Sequence, residues 1–67
     1  MLIPVPVRER IQIIIEDPRM GQKEAARVSK ISVTTMWRIT EHGTASRMTM
    51  RKVLRAFPAL SSIMNLN

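Results

Sequence analysis

The side chains that perform most enzyme chemistry are scarce in this chain. His42 is the only histidine, Asp17 is the only aspartate, and cysteine and tyrosine are absent. There is no thiolate nucleophile or metal ligand, and no second histidine or aspartate to complete an acid–base pair. His42 stands beside Gly43 at an expected helix end, where a cation complements the helix dipole. The expectation is a binding protein, not an enzyme, with no cofactor, no metal and no small-molecule ligand. Cationic groups are the chemistry this chain does carry. Residues 19–55 hold nine lysines and arginines against Glu24 and Glu41, a balance of +7. Residues 1–18 balance to −1, and the last twelve residues carry no charge. A basic block of this kind points first to nucleic acid as a polyanionic partner, with an anionic membrane or a merely solvated surface as the alternatives that charge alone leaves open.

Length bounds what can position those groups. With 67 residues the chain forms one domain with a thin core, since a chain of this size buries only about 60% of its unfolded surface. Lacking disulfides and metal, such a domain gains stability by oligomerising, so a homodimer is expected. The apolar runs are far shorter than the roughly 20 residues of a membrane span, and no secretory signal pattern is visible. No membrane association and a cytoplasmic location follow as expectations.

The hydrophobic spacing is helical throughout. Pro4 and Pro6 make residues 1–6 an extended arm. Val7, Ile11, Ile14 and Ile15 share one face of a helix over residues 7–17, which Pro18 stops; Ile13 lies off that stripe, placed to touch a partner. A short helix is expected over residues 22–29. A third begins at Ser32 as N-cap, runs to Glu41 or His42, and is closed by Gly43 in a left-handed conformation. Residues 44–47 read as a polar loop. Thr49 caps a fourth helix over residues 50–57, with Met50, Val53, Leu54 and Phe57 on one face. A last apolar segment, residues 60–66, completes an all-α chain of four to five helices.

Two short helices joined by a tight turn, the second with a polar, partly basic outer face, form a unit that can place one helix in the DNA major groove. The segment from Gln22 to Ile39 resembles the helix-turn-helix of phage Cro and repressor proteins and of the wider xenobiotic-response-element family. Gln22, Ala26, Ile31, Met36 and Ile39 fall on that pattern, and Thr49, Met50, Val53, Ala56 and Phe57 resemble the family's fourth helix. Two positions depart from it: Lys30 stands where the family has its turn glycine, and Ser29 where it has an apolar residue. A second resemblance, through Ala25, Ala26, Ile31, Ser32, Thr35, Met36, Arg38 and Ile39, is to the lactose-repressor family.

The resemblance implies a compact lambda-repressor-like domain with the helix-turn-helix at residues 22–41, acting as a dimeric transcriptional repressor on a pseudo-palindromic operator in double-stranded DNA. By position it assigns Ser32, Val33, Thr34, Trp37 and Arg38 to base contact, with Arg38 able to donate two hydrogen bonds to guanine. Trp37 has an equal alternative, packing against the fourth helix. Gln22, Lys23, Lys30, Thr44, Ser46 and Arg47 are the phosphate-contact candidates. The apolar tail, residues 58–67, is the expected dimer surface through Leu60, Ile63, Met64 and Leu66. Two other functions stay open on the same scaffold: a protein-interaction module of antirepressor or antitoxin type, and an excisionase-like architectural DNA-binding protein.

Overall fold

Five helices make up the computed structural model, which describes residues 1–64: α1 (Val5–Glu16), α2 (Gly21–Ser29), α3 (Val33–His42), α4 (Arg47–Ala56) and α5 (Ala59–Met64). The all-α expectation holds.

α1 starts two residues before the expected Val7. Pro4 is its N-cap at φ −55° and ψ 140°, and the Pro4 carbonyl accepts the N–H groups of Val7 and Arg8, each at 3.0 Å. Pro6 falls in the first turn, where an amide hydrogen would have no intrahelical acceptor, so proline sacrifices nothing there. The extended arm is therefore residues 1–4, not 1–6. Leu2 forms an isolated antiparallel bridge with Thr44, and the Ile3 N–H donates to the Gly43 carbonyl at 2.8 Å. At the other end Pro18 keeps Asp17 extended, at ψ 122°, and stops the helix.

α2 ends in a Schellman turn. The N–H of Lys30 donates to the Arg27 carbonyl and that of Ile31 to the Ala26 carbonyl, at 3.1 and 3.0 Å. Lys30 adopts the left-handed conformation, φ 59° and ψ 41°, so a lysine takes up a backbone geometry that ordinarily favours glycine. α3 begins and ends as expected. The Ser32 hydroxyl accepts from the Thr35 N–H at 3.0 Å, and Gly43 closes the helix at φ 65°.

α4 starts at Arg47, three residues before the expected Met50. Its N-cap is Ser46, whose hydroxyl oxygen accepts from the Thr49 N–H at 3.1 Å. Both Ser46 and Thr49 favour a cap, and nothing between them breaks a helix, so the earlier residue takes the role. Arg47 thus lies on a helix and the polar loop shortens to residues 44–46. Phe57 closes α4 as C-cap instead of belonging to it.

The core takes Val7 and Ile11 from α1, Ala25 and Ala26 from α2, Met36 and Ile39 from α3, and Met50, Val53 and Leu54 from α4, closed by Ile3 and Leu60. Each of the larger side chains contributes about 1.5–3 kcal/mol by leaving water. Leu60 is only 2% exposed, which overturns its assignment to a dimer surface. α5 packs against both α1 and α4, and Leu60 is the side chain it buries there. Ile63 is half-buried against the core; the Met64 side chain and Leu66 lie outside the described residues. Among the described residues no helix is long and apolar enough to cross a membrane.

Candidate nucleic-acid interface

α2 and α3 pack directly on one another, and Ala25 and Ala26, both buried, are small enough to let the backbones approach. Met36 and Ile39, three positions apart, turn one side of α3 fully into the core. Val33, Thr34, Trp37, Arg38, Glu41 and His42 are left in solvent on the other side. Trp37 is 45% exposed, which decides between its two alternatives: the indole is on the surface. It meets His42 edge to face, with ring centroids 5.0 Å apart and planes at 81°.

The sequence-assigned site residues separate into groups. Val33, Thr34, Trp37 and Arg38 come together on the outer face of α3. Arg38 also lines a shallow concavity of about 460 Å³ shared with Thr35, Thr44, Ser46 and Thr49. That places Arg38 beside two of the phosphate candidates, next to the start of α4. Ser32 and Ser46 are both exposed, but each spends its hydroxyl oxygen on a helix cap, and each also shares a hydrogen bond with the hydroxyl three residues on, Thr35 or Thr49. Lys23, Lys30 and Arg47 extend into solvent, whereas Gln22 is half-buried at the start of α2.

Two cations of the basic block are paired among the described residues, Arg19 with Asp17 at 3.5 Å and Arg27 with Glu24. Arg27 donates to Glu24 through Nε at 2.6 Å and also through Nη2. The hydrogen bond from Arg27 holds the Glu24 carboxyl below its ordinary range, opposed in part by desolvation, and raises the guanidinium above its own.

What fixes α3 from behind is a residue the sequence did not announce. Arg8, on α1, donates through Nε and Nη2 to the Thr40 carbonyl at 3.2 and 2.9 Å, and through Nη2 to the Glu41 carbonyl at 2.9 Å. A guanidinium thus occupies the carbonyl-rich end of α3, where positive charge is favoured. Gly43 makes room for it: a Cβ at that position would lie 3.2 Å from Arg8 Cδ and Nη1. The only sequence signal for this contact is the glycine.

Away from α3, an apolar groove of about 630 Å³ runs between α1 and the α4–α5 corner. Ile14, Phe57 and Ile63 line it, with Arg10 and Ile13 at its side. Ile13 is 58% exposed.

Compared with protein-family models, curated proteins and solved structures, the chain matches none.

Proposed function

We propose that this chain is a cytoplasmic, sequence-specific DNA-binding transcription regulator of the Cro-like repressor type, with no catalytic activity and no cofactor. α3 enters the major groove as the recognition helix, and repression follows from occupancy of the operator. The observation that carries this reading is the division of α3: Met36 and Ile39 anchor it, while Val33, Thr34, Trp37 and Arg38 stand in solvent within the block of residues 19–55 that holds the chain's surplus of positive charge. Lys23, Lys30, Arg47 and the polar wall of the Arg38 concavity supply phosphate contacts, which give affinity, while the α3 face gives selectivity.

The active species is a homodimer, with two recognition helices about 34 Å apart reading the halves of a pseudo-palindromic site. Its seam is the groove between α1 and α5. Ile13 projects beside a hollow lined by Ile14, Phe57 and Ile63, so a twofold axis lets each copy offer a projection to the other's groove.

A salt titration of binding to duplex DNA tests the reading. With about five phosphates neutralised per subunit, log affinity falls with log salt at a slope of about −4 to −5 per subunit. A slope near zero removes groove docking. Arg38→Ala costs on the order of 1–3 kcal/mol on the preferred site and relaxes selectivity at one base position. Equal losses on specific and random DNA would instead place Arg38 on phosphate, in keeping with its concavity. The second reading, a protein-interaction module, is favoured by the exposed indole of Trp37, and selection from a random duplex library separates the two. An enriched inverted repeat supports the regulator; recovery of a protein partner with no enriched sequence supports the module.

A further inference from the structure

The apolar side chains of α3 fall into two sets, and only one is used by the fold. Met36 and Ile39 are fully buried, while Val33 and Trp37 are 43% and 45% exposed. These two lie four positions apart and so stand side by side along the helix. Thr34 and Arg38 form a parallel polar row one position on. The indole is held by its edge-to-face contact with His42, so less side-chain entropy remains to be lost when it meets a partner.

Charge narrows what can cover this strip. Arg38 and Glu41 share the face, and Lys30 stands exposed in the turn before it, which leaves the surroundings of the strip with one positive charge in excess. A neutral apolar partner would leave that excess without counter-charge. A partner that offers only phosphates would leave Val33 and Trp37 with nothing apolar to meet. Duplex DNA offers both at once, because phosphates border the major groove and the 5-methyl group of thymine is its one apolar projection. RNA duplexes lack that methyl and present a major groove too narrow and deep for a helix.

We propose that Val33 and Trp37 together read 5-methyl groups of pyrimidines, so that sites bound by this chain carry thymine opposite the α3 strip. This rests on the DNA-binding reading and adds to it the chemical feature that is recognised.

The test begins with the best duplex recovered from a random library, resynthesised with deoxyuridine replacing thymine at one position at a time. That exchange removes a methyl group and leaves the base pair intact. At one or two positions the affinity of the wild-type chain falls by about fourfold, the worth of burying one methyl group. Both side chains are surface residues, so Val33→Ala and Trp37→Ala should fold normally, as circular dichroism will show. Each variant binds the thymine and uracil duplexes with more nearly equal affinity than the wild type does. Sequence-selective, salt-dependent binding that is indifferent to uracil at every position overturns this proposal and leaves the DNA-binding reading intact. Retention of no duplex from the library overturns both.

Discussion

The guanidinium of Arg8 sits on the carbonyl oxygen of Thr40, with Nη2 2.9 Å away, and so ties the first helix to the last turn of the third. The acceptors are backbone carbonyls left free at a helix end, and the donor is a permanent cation. Replacing Arg8 by alanine is expected to destabilise the fold by about 1.5–3 kcal/mol, the range for hydrogen bonds to charged groups. Arg8→Lys keeps the charge but not the forked geometry, and recovers part of the loss. Urea denaturation of the three proteins measures the order.

Gly43 and Gly21 both have positive φ, 65° and 69°, but their surroundings differ. A Cβ at Gly21 meets nothing within 4 Å, whereas at Gly43 it presses on Arg8. Gly21→Ala is expected to cost about 1–2 kcal/mol from the left-handed backbone alone, and Gly43→Ala about 1 kcal/mol more from crowding. In an Arg8→Ala background that excess disappears. A double-mutant cycle on Arg8 and Gly43 that shows no coupling would mean the crowding is relieved without cost.

Ser29 and Lys30, at the end of α2, each carry a cost the fold tolerates. Ser29 Oγ is buried with no hydrogen-bond partner among the described residues, and Lys30 holds a left-handed backbone. Ser29→Ala and Lys30→Gly should each raise stability by about 1 kcal/mol. Lys30→Gly also removes a proposed phosphate contact, so thermal stability rises while the salt slope of DNA binding becomes shallower by about 1. Stability falling in both variants would contradict the local geometry.

The start of α4 is open to a direct comparison. Ser46→Ala removes the cap to the Thr49 N–H and is expected to cost about 1 kcal/mol. Thr49→Ala should change stability by less than about 0.5 kcal/mol. The reverse order would return the helix start to Met50.

Ile13→Lys tests the proposed seam. The side chain is mostly in solvent, so the variant should retain the helical content of the wild type. Light scattering should show the wild-type chain as a dimer and the variant as a monomer with weakened operator binding. A wild-type chain that scatters as a monomer at every concentration removes the dimer from the proposal.

The features legible in the sequence were those fixed by neighbours along the chain. Ser32 and Gly43 bracket α3 because capping acts within one turn, and the burial of Met36 and Ile39 follows from their spacing. The start of α1 was missed because Pro6 was read as excluding a helix, although a first turn accepts it. The lysine type of residue 30 carries no signal of its left-handed backbone, which the Ile31 and Ala26 pairing imposes; only its place in the turn, where the resembled pattern has glycine, pointed to it. Leu60 has the apolar spacing that suits a dimer surface and a core equally, and only the packing of α5 distinguishes them. Arg8 was invisible for a different reason: its acceptors lie 32 and 33 positions away and are backbone atoms that every residue possesses.

The bridge between Leu2 and Thr44 also orders events in time. Met1 and Ala45, which exchange hydrogen bonds at its edge, are 44 positions apart, so closing it costs loop entropy that the neighbouring pair α2 and α3 does not incur. The arm is expected to dock after those helices have met, and its release uncovers one core side chain, Ile3. Its amides should therefore exchange with solvent ahead of those in α3, giving the loop behind α3 a latch that opens without unfolding the rest.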